Sequence, residues 1–152
     1  MSDPVYFEDV QVGETRRFGR YAVTRDEIVE YARQFDPQPF HLDEAAAARS
    51  IFGGLIASGW HTGAMFIRMI CEHAIPGTAA TGALGFDDLR WLKPVRPGDT
   101  LTARAEVLAA WPSRTKPIGF VRSRVEMRNQ EREVVLSLVG LSMYRRRPDG
   151  AA

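Results

Sequence analysis

Four segments in the second half of the chain have the apolar patterning of β-strands. They span residues 81–93, 100–111, 118–128 and 133–145. In the third segment, Val121, Val125 and Met127 alternate with charged or aromatic residues, so one face of that strand should be buried. Three turn signals separate the segments, KPVRPGD, WPSRTKP and RNQE, and a further strand-like run covers residues 15–23. This pattern predicts a sheet.

A helix is predicted to begin after Thr24. The sequence TRDE is a capping box, in which the Thr24 and Glu27 side chains each accept a hydrogen bond from a free backbone N–H group. The apolar residues of one helical face follow it: Ile28, Val29, Tyr31 and Ala32. Pro37 should stop this helix, which puts Asp36 at its C-terminal end.

A second, more apolar helix is predicted over residues 60–73, with Ser58 as its candidate N-cap and Pro76 after its end. It is hydrophobic on most sides, so we expect it to be buried. Asp43 should cap a short helix before it. Four long strands after one buried helix indicate an antiparallel sheet curled round that helix, an α+β fold.

Composition narrows the class of protein. The chain has 152 residues, which suits one domain over 1–152, and its tail from about 146 is expected to be mobile. A formal charge of +1 gives no reason to expect nucleic-acid binding. The single cysteine, Cys71, excludes an internal disulfide, and its apolar surroundings predict a buried, inert thiol. No signal peptide or membrane span is visible, so we expect a cytoplasmic protein without membrane partners.

The segment FDPQPFHLD, residues 35–43, is the main candidate for chemistry. It places Asp36 and His41 five positions apart, and Pro37 and Pro39 should exclude a helix between them. A rigid loop that fixes a carboxylate and an imidazole suits general acid–base chemistry on one water molecule. Three histidines at unrelated spacing predict no metal site.

Three ordered motifs, FDPQPFHLDE, FGGLIASGWHTGAM and LRWLKPVRPGDTL, give the chain a family resemblance over about residues 7–144. The chain resembles the MaoC-like dehydratases, also called R-specific enoyl-CoA hydratases. The resemblance implies a hot-dog fold, in which a sheet wraps a central helix. It also implies water addition to a trans-2-enoyl thioester of coenzyme A or an acyl carrier protein, giving the R-3-hydroxyacyl product, or the reverse dehydration. A homodimer with a shared pocket and no cofactor would follow.

Carried over to this sequence, the resemblance makes Asp36 and His41 the acid–base pair. The backbone N–H of Gly59, at the start of the central helix, would polarise the thioester carbonyl. Free N–H groups at a helix N-terminus suit this role independently, because oxyanion charge develops there. The remaining candidate substrate contacts are Gln38, Ser58 and His61.

The sequence departs from the family pattern at three positions. Gln38 stands where the family usually has Asn, and Ser58 where many members have His. Ile67 aligns with a serine that orients the aspartate in some members, so support for Asp36 should come from elsewhere.

Two other functions stay open. A hot-dog thioesterase needs a carboxylate on or near the central helix, and residues 55–70 contain none. A non-catalytic acyl-thioester-binding protein would keep the fold without the reaction.

Several other residues have competing interpretations. His61 more often packs than reacts, and His73 should complement the helix dipole. Three aromatic residues are predicted in the core or an interface rather than against substrate: Trp60, Phe86 and Trp91. Two clusters of basic residues are expected on the solvated surface. The first, which could instead meet coenzyme A phosphates, is Arg90, Lys93 and Arg96, and the second is Arg145, Arg146 and Arg147.

Overall fold

The structure, a computed structural model, describes residues 3–149. A 3₁₀ turn at Phe7–Asp9 comes first. The regular elements are then β1 (Thr15–Ala22), α1 (Arg25–Phe35), α2 (Pro39–Leu42), α3 (Glu44–Ala48), α4 (Gly59–Met69), β2 (Ala80–Trp91), β3 (Thr100–Pro112), β4 (Ile118–Arg128) and β5 (Val134–Arg145). A π-helical turn, Ile70–Ala74, extends α4.

The five strands form one antiparallel sheet in the order β1-β3-β4-β5-β2. Strands β1 and β2 are therefore its edges. The four predicted strands and the strand-like run over residues 15–23 are confirmed, with every end within two residues of its predicted place. Strong alternation and clear turn residues explain this accuracy.

The core lies between the helices and the inner face of the sheet. Val121, Val125 and Met127 of β4 are buried, as the alternation predicted. Val125 and Met127 share a cluster with Met65, Phe66 and Met69 of α4 and Ile28 of α1. Helix α4 approaches β1 so closely that a Cβ atom on Gly19 would lie 2.5 Å from Met69 Sδ. The predicted α+β hot-dog layout, a sheet round a central helix, is confirmed.

Helix α4 is not buried on all sides, contrary to the prediction. Its sheet-facing residues are buried, but Trp60 and Ile67 are 62% and 43% exposed. Cys71 is also exposed, so the predicted buried thiol is wrong. The cause is geometric: the sheet of a single chain covers one side of the helix only.

Two arginines of the predicted mobile tail are held in place. Arg146 Nε lies 2.9 Å from Glu8 Oε1, and Arg147 Nη2 contacts both carboxylate oxygens of Asp9 at 2.9 and 2.8 Å. Both partners lie 138 positions earlier in the sequence, so these ion pairs join the tail to the N-terminal 3₁₀ turn. Residues 150–152 of the tail lie outside the described range.

Candidate active site

The turn between α1 and α2 brings the candidate acid and base together. Thr24 Oγ1 caps α1 by accepting the Glu27 N–H at 3.3 Å, and Asp36 is the C-cap residue of the same helix. The expectation that the prolines exclude a helix is wrong at Pro39, which begins α2. Proline is tolerated at the first helical position because its missing N–H would have no helical partner there. His41 lies on this short helix.

The two side chains face each other. His41 Nε2 lies 3.3 Å from Asp36 Oδ2. On the other side of the ring, His41 Nδ1 lies 2.8 Å from the Ile56 carbonyl oxygen. A carbonyl oxygen only accepts hydrogen bonds, so Nδ1 carries a proton and Nε2 is the atom that can gain or release one. The residue is 4% exposed, so the orientation of its ring is fixed by buried contacts.

Two more hydrogen bonds hold the Asp36 carboxylate. Ser58 Oγ donates to Oδ2 and Gln38 Nε2 donates to Oδ1, each at 2.7 Å. The Ser58 hydrogen bond is the largest influence on the pKa of Asp36 and lowers it. Partial burial opposes this, whereas Gln38 and His41 lower the pKa further. The net pKa is below the ordinary value, so Asp36 is an ionised carboxylate.

Ser58 therefore differs from its predicted roles. It occupies the N-cap position of α4, but its side chain makes no capping hydrogen bond. Ser58 is fully buried and its hydroxyl donates a hydrogen bond to Asp36, so substrate cannot contact it. Ser58 is therefore the residue that supports Asp36. The two residues are 22 positions apart in the sequence, so no local sequence pattern could have predicted the contact.

Asp36, His41, Gln38 and Gly59 line one cavity of about 490 Å³. Gly59 is the first residue of α4. The first N–H groups of a helix have no partner within the helix and carry partial positive charge. The cavity thus combines an ionised carboxylate, an imidazole and a helix N-terminus.

Two tryptophans form another part of this cavity lining. Trp91 Nε1 donates to the Gly59 carbonyl oxygen at 2.8 Å, and a Cβ atom on Gly59 would lie 2.5 Å from Trp91 Cε2. Trp60 meets Trp91 edge-on, with ring centroids 5.3 Å apart. Both line the cavity and are substantially exposed in the single chain, as is Phe86, so none of the three lies in the core; the predicted alternative, an interface position, stays a prediction.

His61 is not among the residues that line this cavity, so its role as a substrate contact stays a prediction without support from the cavity. Its ring stacks on Tyr31 with centroids 4.5 Å apart, and its Nε2 lies 3.6 Å from Glu27 Oε1. Burial lowers the pKa of His61. The alternative interpretation, a packing histidine, is the one that fits this environment.

The candidate basic residues have local partners. Lys93 lines the cavity and pairs with Glu133 at 2.8 Å, while Arg96 donates to the Phe52 carbonyl oxygen.

Within residues 3–149, no group of three or more His, Cys, Asp or Glu side chains is arranged to hold a metal ion. Over the same range, no helix has both the length and the apolar character that crossing a membrane requires.

Comparison with known proteins identifies the family. The family model described as "MaoC like domain" matches residues 8–131. An uncharacterized protein of Bacillus subtilis, YdeM, is 30% identical over 124 residues, which are 82% of this chain and 87% of that protein. The (R)-specific enoyl-CoA hydratase of Rhodospirillum rubrum is 29% identical over 109 residues, which are 72% of this chain and 74% of the hydratase.

A solved structure agrees over nearly the whole chain. The MaoC-like dehydratase from Rhodospirillum rubrum superimposes with a TM-score of 0.84 at 38% identity, covering 95% of this chain and 99% of that one. Sequence and architecture thus lead to the same assignment: the chain belongs to the MaoC-like domain family.

Proposed function

We propose that this protein adds water to a trans-2-enoyl thioester, or removes it from the 3-hydroxyacyl thioester. The observation that carries the proposal is the 3.3 Å approach of His41 Nε2 to Asp36 Oδ2 in a cavity that Gly59 also lines. This reaction needs a base for water, an acid for the α-carbon and a donor for the thioester oxygen. The cavity offers a group for each.

Asp36 and His41 act on one water molecule. As the water oxygen bonds to C3, the pair takes one of its protons, and the pair returns one proton to C2. The hydroxyl group ends on C3 and the pair regains its starting protonation. The Ile56 carbonyl fixes the Nδ1 proton, so the exchange runs through Nε2 and the carboxylate.

The Gly59 N–H stabilises the oxygen charge that develops on the thioester. Electrons from the C2–C3 double bond move toward the carbonyl oxygen as water attacks C3. The positive end of the α4 dipole favours that charge before C2 is protonated. Glycine at this position lets the indole of Trp91 and the substrate both come close to the backbone.

The finer assignments extend this proposal. The R configuration of the product is supported by the name of the Rhodospirillum rubrum hydratase. An acyl-CoA or acyl carrier protein thioester is the substrate class, and the protein acts as a cytoplasmic homodimer. Exposed apolar residues on the edge strand β2, among them Leu84 at 61%, support an interface between two copies.

The direct test is incubation of the purified protein with crotonyl-CoA. We expect the enoyl-thioester absorbance to fall without release of free thiol, and the product to be the R enantiomer. Thiol release would instead identify a thioesterase. Binding without either change would identify the non-catalytic alternative.

A further inference from the structure

We propose that Trp60 and Trp91, with Leu92, form a wall that binds the carrier arm of the thioester. The carrier arm is the flexible chain of methylene and amide groups that joins the thioester sulfur to the nucleotide of coenzyme A or to a carrier protein. This inference rests on the proposed function and adds a binding subsite to it. The three residues are called the Trp60–Trp91 wall below.

The wall begins at the position where the thioester group would lie. Trp91 contacts Gly59 directly, through the 2.8 Å hydrogen bond from its Nε1 to the Gly59 carbonyl oxygen. Because this bond satisfies the indole N–H, the ring offers its apolar surface to the cavity. A thioester whose oxygen meets the Gly59 N–H would therefore have Trp91 beside it.

The wall then leads outward. Among the residues that line the cavity, His41 is 4% exposed, Trp91 is 45% exposed, and Trp60 and Leu92 are 62% and 54% exposed. An acyl tail gains most from complete burial, whereas a carrier arm must run from the buried reaction centre to solvent. This gradient of exposure along one continuous lining fits the carrier arm.

The chemistry of the two surfaces also matches. The arm alternates apolar methylene groups with amides, and an indole has a broad apolar face and low conformational entropy. The edge-on contact at 5.3 Å holds Trp60 against Trp91 before substrate arrives. A preorganised wall of this kind binds a flexible chain at lower entropic cost.

The test compares crotonyl-CoA with crotonyl-N-acetylcysteamine, which lacks most of the arm. Replacing Trp60 with alanine removes one aromatic contact, so we expect KM for crotonyl-CoA to rise about tenfold while kcat stays within about twofold. KM for the truncated thioester should stay unchanged. Trp60→Phe keeps an aromatic ring, so its KM for crotonyl-CoA should be close to that of wild type. Trp111→Ala is the matched control, because Trp111 is 40% exposed on β3 and outside the cavity lining.

Three results for Trp60→Ala would contradict the proposal. KM could rise equally for both thioesters, the preference for acyl-chain length could change instead, or light scattering could show that the variant no longer forms a dimer. Calorimetric binding of coenzyme A to wild type and Trp60→Ala gives a readout that needs no turnover. Equal affinity of the two would also reject the wall. Absence of turnover in the wild type would reject the proposed function alone.

Discussion

The ionisation of Asp36 depends most on Ser58. The Ser58 hydroxyl donates to the carboxylate at 2.7 Å and lowers the pKa of Asp36, and the serine itself is fully buried. An Asp36 carboxylate that stays ionised keeps its electrostatic interaction with His41 over a wide pH range. Ser58, a small side chain outside the cavity lining, thus makes the largest contribution to the charge of Asp36 and helps to position it.

Replacing Ser58 with alanine should therefore change the pH dependence of turnover. Loss of a hydrogen bond to the ionised form raises the pKa of Asp36, so the acid limb of the kcat/KM profile should move to higher pH. We expect kcat/KM to fall about tenfold, as for loss of one hydrogen bond to a charged group. Ser113→Ala, in the turn after β3, is the control. An acid limb that stays in place would show that Ser58 does not set this pKa.

His61 gives a second prediction at this scale, concerning stability. Burial lowers its pKa below the ordinary 6.5, so the unfolded chain binds a proton more readily than the folded one. Its contribution to stability is complete above pH about 6.5 and is lost as the pH falls below that value.

The check is the free energy of unfolding in urea at pH 7.5 and pH 5.5. The variant His61→Phe keeps a ring against Tyr31 and should lose less stability on acidification than wild type. His73→Phe changes an exposed histidine and should behave like wild type. Equal pH dependence in all three proteins would contradict the assignment.

At the scale of elements, the strands were predictable and some local details of the helices were not. In strand β4, buried residues alternate with more exposed ones, and the turn before it contains Pro117. The short helix α2 has no clear signal in the sequence, because proline usually ends a helix whereas Pro39 begins this one. The role of Ser58 has none either, because its partner Asp36 lies in another element.

The cap of α3 offers a prediction at the same scale. Asp43 Oδ1 accepts the Ala46 N–H at 2.7 Å, as the sequence predicted for a short helix at this place. Asp43→Ala should lower the free energy of unfolding by about 1 kcal/mol, while Asp43→Asn, which can still cap, should cost only a few tenths. Chemical denaturation measures both. Equal losses in the two variants would show that the cap is not what stabilises α3.

At the scale of the whole molecule, the exposed apolar residues suggest assembly. One side of α4 and the edge strand β2 keep large apolar side chains in solvent in the single chain, including Ile67 and Leu84. An exposed edge strand with apolar side chains favours pairing with another chain. We therefore expect a homodimer at micromolar concentration.

A matched pair of substitutions tests the location of that interface by light scattering. Leu84→Lys places a charge on β2 and should shift the protein toward monomer. Val12→Lys changes an aliphatic residue of almost equal exposure, 62% against 61%, before β1, and should leave the mass unchanged. A monomeric wild type, or a dimer unaffected by Leu84→Lys, would contradict an interface at β2.

The central claim is that Asp36 and His41 act as one catalytic unit on an enoyl thioester. The most direct test is the rate of crotonyl-CoA hydration by wild type, Asp36→Asn, His41→Ala and the double variant, with the fold of each checked by circular dichroism. Each single variant should lose on the order of a hundredfold or more, and the double variant should be little worse than either. Near-normal turnover in either single variant, or losses that multiply in the double variant, would contradict the claim.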